Sequence, residues 1–138
     1  MTRVLIVEDE AELRRLYRIV LERKGYEIAE AGSGRDAMKI LAYERIDAVV
    51  LDLGLPDISG LQLIDEIRSQ QRHIPIIINT AYDILGEDFH EWGADAFVSK
   101  SFGPAALIRA MEEIVPAELE MQHPDFVPTL LYSLVQEE

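Results

Sequence analysis

Five short, mostly apolar runs alternate with stretches that have the apolar spacing of amphipathic helices. The runs contain four or five residues each and lie at positions 4–7, 26–29, 48–51, 74–78 and 95–98. Their content of Val, Ile and Leu is typical of strands that are covered on both faces of a sheet. After the first run, apolar residues recur every three or four positions, as they do on one face of a helix. The alternation predicts an α/β fold built from parallel βαβ units, a doubly wound five-stranded sheet with helices on both faces.

Two stretches differ from this regular pattern. Residues 84–92 have only a short apolar stripe that is interrupted by a glycine, so we expect the fourth helix to be short. From Pro116 onward the sequence holds five acids, three prolines and no Lys or Arg. This change predicts a domain over residues 1–116 and a C-terminal extension over residues 117–138, an acidic linker followed by an amphipathic helix.

Composition narrows the classes of function. The 138 residues fit one domain, and 26 acidic against 13 basic side chains give a net charge of −13. This charge disfavours binding to nucleic acid or to an anionic membrane surface, because both need Lys and Arg. Arg14, Arg15 and Arg18 are interpreted as part of a solvated face of the first helix. The absence of cysteine excludes disulfides and a Cys-built zinc site, and no apolar run approaches the roughly 18 residues that span a bilayer, so we expect a cytoplasmic protein.

Polar side chains follow four of the five apolar runs. Glu8 and Asp9 follow the first run, Asp52 the third, Thr80 the fourth and Lys100 the fifth. Each residue alone has an ordinary interpretation as a helix cap, a loop residue or a solvated side chain. In an open parallel sheet, however, ligands bind just outside the carboxyl ends of the strands, so we expect these side chains to converge on one edge.

Such a set has a definite chemistry. Three carboxylates that lie close together need positive charge, which Lys100 and one divalent cation would supply. Oxygen ligands without His or Cys favour Mg²⁺, which usually engages a phosphate group as well. A Mg²⁺ site with a Lys and a hydroxyl suits phosphoryl transfer, and a carboxylate that faces it can form an acyl phosphate. Asp52, after the central strand, is predicted to be that nucleophile.

Four segments carry these residues in a recognisable order. They are residues 4–10, residues 49–53 with Pro56 and Gly60, residues 79–81, and residues 93–100 with Phe102. In these segments the chain resembles the receiver domain of two-component response regulators, over about residues 2–116. The resemblance implies a flavodoxin-like sheet with strand order 2-1-3-4-5.

The resemblance also implies roles for individual residues. Asp52 would accept a phosphoryl group from a histidine kinase or a histidine phosphotransfer protein, and Lys100 would pair with the phosphoryl oxygens. The Mg²⁺ ligands that it implies are Glu8, Asp9, Asp52 and the backbone carbonyl of Gly54. Such a protein is a signalling switch and catalyses only its own phosphorylation and dephosphorylation.

The switch itself is implied to lie at the end of the fourth strand. Thr80, with Ala81 beside it, would bind the phosphoryl group, and Phe97 would change rotamer with it. The surface of the fourth helix, fifth strand and fifth helix would then change for partner binding. Ser101 departs from the family, which commonly has proline after the lysine, and the stretch from Thr80 to Gly93 is shorter than usual.

Several alternatives remain open from the sequence. The chain is either a stand-alone receiver or the receiver part of a longer regulator, and its last helix either packs on the domain or forms a homodimer. A protein-interaction module that is never phosphorylated is the main alternative function, although none of the expected site residues is missing. A phosphatase with an aspartate nucleophile would need an acid at Gly54, and a flavodoxin would not have acids after its first strand. The sequence does not identify the downstream partner.

Overall fold

The computed structural model describes residues 1–70, 73–81 and 89–117. The strands are β1 (Arg3–Val7), β2 (Glu27–Ala31), β3 (Ala48–Leu51), β4 (Ile76–Thr80) and β5 (Ala96–Ser99). The helices are α1 (Ala11–Arg23), α2 (Gly34–Tyr43), α3 (Gly60–Ser69) and α4 (Pro104–Ile114), and a 3₁₀ turn (Lys100–Phe102) precedes the last of them. None of the helices in these ranges is both long and apolar enough to cross a bilayer.

The five strands form one parallel sheet in the order β2-β1-β3-β4-β5, as predicted. The strand order reverses between the neighbouring strands β1 and β3, where Val7 pairs with Leu51. The residues that follow this pair, Glu8 and Asp52, therefore leave the sheet side by side. In doubly wound sheets this reversal point opens the crevice where ligands bind.

Alternate strand residues supply two hydrophobic cores, one on each face of the sheet. Leu5, Val49 and Ile78 pack on the face that α2 and α3 cover. Val4, Ile6, Val50 and Ile77 pack on the opposite face, against residues of α1 and α4. All of these side chains are at least 98% buried, which explains why the strands read as continuous apolar runs.

A hydrogen bond holds the end of α4 at one end of the sheet, opposite to the end where Glu8 and Asp52 lie. The buried Tyr26 hydroxyl donates a hydrogen bond of 2.6 Å to the carbonyl oxygen of Val115. Burial raises the pKa of Tyr26 to about 12, so this phenol keeps its proton at neutral pH. Val115, close to the last described residue, therefore lies at the end of the sheet away from Glu8 and Asp52.

Several element predictions need adjustment. The structure has β2 at Glu27–Ala31 rather than 26–29, and β4 at Ile76–Thr80 rather than 74–78. The fifth strand begins one residue later than the apolar run, because the Asp95 carboxylate accepts a hydrogen bond of 2.8 Å from the backbone N–H of Ile76 and pairs with Arg68. Residues 89–93 form turns rather than the end of a fourth helix. The rest of that helix prediction, and the amphipathic helix predicted in the C-terminal extension, lie outside the described residues.

Candidate functional site

Lys100 joins two buried carboxylates at the carboxyl ends of the strands. Its Nζ lies 2.6 Å from Oε1 of Glu8 and 2.8 Å from Oδ2 of Asp52. Glu8 is 2% exposed and Asp52 is 8% exposed, whereas Asp9 is open to solvent. One ammonium group therefore faces two desolvated negative charges, with a third carboxylate at the entrance.

The backbone holds both buried carboxylates in place. Oε2 of Glu8 accepts a hydrogen bond of 3.1 Å from the N–H of Glu10, and Oδ1 of Asp52 accepts one of 3.2 Å from the N–H of Gly54. The Asp52 N–H in turn donates to the carbonyl oxygen of Val7 at 3.1 Å, which extends the strand pairing to the site. Each carboxylate therefore has one oxygen on Lys100 and the other on a backbone donor.

Burial and ion pairing shift the pKa values in this cluster. Loss of solvation raises the pKa of Glu8 above its usual value, although hydrogen bonds from Lys100 and the Glu10 backbone oppose the shift. Burial alone would lower the pKa of Lys100, but its hydrogen bonds to Asp52 and Glu8 outweigh this effect and raise it. Lys100 is therefore charged at neutral pH and serves as a fixed cation.

The donor set fits a divalent cation. One carboxylate oxygen each from Glu8, Asp9 and Asp52 lies within 4.8 Å of the others, a separation that one metal ion can bridge. All three are hard oxygen donors, which suit Mg²⁺ better than a softer transition metal. The exposed position of Asp9 leaves one side of the cluster open to water and to a phosphate group.

Of the remaining predicted residues, Thr80 and Ala81 lie at the same edge of the sheet, and Phe97 lies within β5. Thr80, the last residue of β4, is fully buried and pairs with Ser99 of β5, and Ala81 follows it at the surface. Phe97 is half-buried on β5, and its ring centroid lies 6.3 Å from that of Phe89. The structure thus brings Thr80 and Lys100 to the ends of adjacent strands, with Phe97 three residues before the lysine.

The turn after β5 has serine at position 101, where the resemblance noted in the sequence leads us to expect proline. The backbone N–H of Ser101 donates to Oγ of Ser99 at 3.2 Å, and the two hydroxyl oxygens lie 2.7 Å apart. A proline at this position has no N–H to donate. The two serines therefore shape the 3₁₀ turn that carries Lys100 into the site.

Two polar residues near the site were not predicted from the sequence. Arg14 is not simply solvated, because its guanidinium donates a hydrogen bond of 2.6 Å to the carbonyl oxygen of Glu8 and lies 3.4 Å from Glu30. Asp57 binds the backbone of α2 from the loop after β3. Both contacts join residues from different elements, so neither leaves a periodic signal in the sequence.

Comparison with known proteins identifies the class. The family model of the response regulator receiver domain matches residues 4–112. The chain therefore belongs to the response regulator receiver family. The sheet order and the acidic cluster agree with this assignment.

Curated relatives include regulators from several bacteria. The chain is 33% identical over 127 residues to the alkaline phosphatase synthesis transcriptional regulatory protein PhoP of Bacillus subtilis, covering 83% of this chain and 52% of that protein. It is 34% identical over 115 residues to the response regulator MprA of Mycolicibacterium vanbaalenii, covering 82% of this chain and 50% of that protein. The chain thus spans about half the length of the curated relatives that it matches.

Solved structures support the same fold. The response regulator TrrA of Thermotoga maritima, crystallised in complex with Mg(2+)-BeF, has a TM-score of 0.75 and 38% identity, covering 82% of this chain and 98% of that chain. The chemotaxis response regulator CheY4 of Vibrio cholerae has a TM-score of 0.75 and 26% identity, covering 82% of this chain and 98% of that chain. Both likenesses extend over the receiver part of this chain.

Proposed function

We propose that Asp52 takes up a phosphoryl group in the presence of Mg²⁺, from a histidine kinase or a histidine phosphotransfer protein. The observation that carries this proposal is the cluster in which Lys100 binds Asp52 and Glu8 while Asp9 completes an oxygen-lined cation site. The likeness to TrrA, which was crystallised with Mg(2+)-BeF, supports the same interpretation. In this proposal the chain is not an enzyme for a separate substrate, and it catalyses only its own phosphorylation and dephosphorylation.

Each residue of the site would have a separate role in phosphoryl transfer. An oxygen of Asp52 attacks phosphorus, the bond from phosphorus to the donor nitrogen breaks, and the imidazole leaves with the electron pair and gains a proton from solvent. Glu8, Asp9, Asp52 and the carbonyl of Gly54 would hold Mg²⁺, which when bound neutralises charge on the phosphoryl oxygens. Lys100 supplies a second positive charge that is already fixed by its contacts with the acids.

The signal would pass through β4 and β5. The Thr80 hydroxyl and the backbone at Ala81 are suited to bind the new phosphoryl oxygens, because both lie at the end of the strand next to the one that precedes Asp52. Phe97 would change rotamer as Thr80 moves. The partner would then contact the surface of β5, α4 and the predicted fourth helix, and we propose a protein partner rather than nucleic acid or membrane because of the net charge of −13.

Acetyl phosphate tests the proposal without a known kinase. We expect the full chain to gain the mass of one phosphoryl group in the presence of Mg²⁺ and to gain none when EDTA removes the metal. Asp52→Asn should abolish the gain, because the amide is not a nucleophile for this reaction. Asp36→Asn, which changes an exposed aspartate in the first turn of α2, should react like the wild type.

Failure to gain mass can be interpreted once the lifetime of the acyl phosphate is taken into account. The acyl phosphate could hydrolyse before detection, so beryllium fluoride, a stable analogue, is titrated in parallel and followed by ¹⁹F NMR. A folded wild type that gains no mass and binds no beryllium fluoride would contradict the proposal. It would favour the interaction module that is never phosphorylated.

A further inference from the structure

The loop after β3 is fastened to the N-terminus of α2 by the side chain of Asp57. The backbone N–H of Gly34 donates to Oδ1 of Asp57 at 2.9 Å, and the N–H of Arg35 donates to Oδ2 at 2.8 Å. These hydrogen bonds lower the pKa of Asp57, so the side chain is a carboxylate at neutral pH. One exposed side chain thus joins two elements that are more than 20 residues apart in sequence.

Close packing accompanies these hydrogen bonds. A Cβ atom on Gly34 would lie 2.5 Å from Cγ1 of Ile58, a distance that no real contact allows. The N–H of Ile58 also donates to Oδ1 of Asp57 at 3.0 Å, which fixes the carboxylate relative to its own loop. The loop therefore lies directly on the backbone of α2 at this point.

The same loop carries the phosphoacceptor. The N–H of Gly54 donates to Oδ1 of Asp52, and Gly54 and Ser59 form an antiparallel bridge across the loop. The N–H of Gly60 closes the loop with a hydrogen bond of 2.8 Å to the carbonyl oxygen of Leu53. Because the loop is short and closed on itself, a displacement at Asp57 would be transmitted to Gly54 and Asp52.

We propose that Asp57 is a positioning residue for the cation site, because it anchors to α2 the loop that carries Asp52 and Gly54. This inference rests on the proposed function, in which both residues are Mg²⁺ ligands. Asp57 itself would touch neither the metal nor the phosphoryl group. Its effect would be to hold the ligands in their binding geometry before the cation arrives, as outer hydrogen-bond partners do in other metal sites.

The structure offers a matched control for simple helix capping. Ser33 also caps α2, since its Oγ accepts a hydrogen bond of 3.1 Å from the N–H of Asp36, but this contact stays within the same turn. Ser33→Ala and Asp57→Ala each remove a cap from α2. Only Asp57→Ala also removes the hydrogen bonds that join the loop to the helix.

Calorimetric titration of the full chain with Mg²⁺ distinguishes capping of α2 from positioning of the cation site. We expect Asp57→Ala to weaken Mg²⁺ binding about ten-fold, the lower end for loss of an outer partner. Ser33→Ala should bind Mg²⁺ like the wild type, although both variants should unfold at lower urea concentration. Asp57→Asn keeps one carbonyl acceptor and should give intermediate affinity.

The outcomes distinguish this inference from the proposed function. Unchanged Mg²⁺ affinity in Asp57→Ala would overturn the positioning role, while phosphorylation of the wild type would still support the proposed function. Equal weakening by Ser33→Ala and Asp57→Ala would also overturn it, since capping alone would then explain both results. If the expected affinities were found in a chain that takes up no phosphoryl group, the positioning role would stand and the proposed function would fail.

Discussion

Lys100→Met should lower the free energy of unfolding by about 3 kcal/mol at neutral pH without Mg²⁺. Removing this ammonium leaves two buried carboxylates, on Glu8 and Asp52, without the cation that both contact. Removing one partner of a buried ion pair is costly because the remaining charge stays desolvated. Urea unfolding in EDTA measures the difference.

Two further variants test whether charge is the reason. Lys100→Met should cost less in a Glu8→Gln background, because only one buried carboxylate then lacks its partner. Lys39 is an exposed lysine on α2, and Lys39→Met should leave the unfolding midpoint close to that of the wild type. If Lys100→Met lowered the free energy of unfolding equally in the wild-type and the Glu8→Gln backgrounds, the electrostatic explanation would be contradicted.

Gly60→Ala should lower the free energy of unfolding by about 3 kcal/mol, the upper range for overpacking. A Cβ at Gly60 would lie 2.6 Å from the carbonyl oxygen of Asp52 and 2.6 Å from Cα of Leu53. Both are backbone atoms, so the clash is relieved only by moving α3 or the loop after β3. We therefore also expect slower uptake of phosphoryl from acetyl phosphate.

The sign of the change in unfolding free energy caused by Gly60→Ala distinguishes a steric effect from an effect of helix propensity. Gly60 is the first residue of α3, and alanine has a helix propensity about 1 kcal/mol more favourable than glycine, so propensity alone predicts stabilisation. Gly32→Ala is the comparison, because its Cβ would meet only side-chain atoms of Arg14, the nearest being Nη1 at 3.2 Å, and no backbone atom. This substitution should cost less than about 1 kcal/mol. A Gly60→Ala variant as stable as the wild type would show that the loop after β3 yields easily.

The fold was predictable because the three central strands, β1, β3 and β4, are buried on both faces. This burial produces the continuous apolar runs, and the crossover helices α1, α2 and α3 accompany the parallel pairing of β1 to β4. The end of each run then indicates the edge of the sheet, which is why Glu8, Asp52 and Lys100 could be assigned to one cluster. These predictions succeeded because burial and strand order affect whole strands and helices, and so leave a pattern over several residues.

Contacts between single residues from different elements were not predictable. Asp57 has the sequence context of an ordinary turn residue, and its role depends on where α2 begins in space. Arg14 is one of several arginines on α1, and only the fold places its guanidinium on the Glu8 carbonyl. The boundary of β5 shifted for a similar reason, because the Asp95 side chain takes the place of a strand hydrogen bond.

The most direct test of the central claim identifies which carboxylate is phosphorylated. After reaction with acetyl phosphate and Mg²⁺, borohydride reduces an acyl phosphate to an alcohol, and tandem mass spectrometry of the peptides locates the reduced residue. Asp52 follows β3, the middle strand of the sheet, and this position predicts reduction at Asp52, with Glu8 and Asp9 unchanged. Reduction at Glu8 or Asp9 in place of Asp52 would contradict the account.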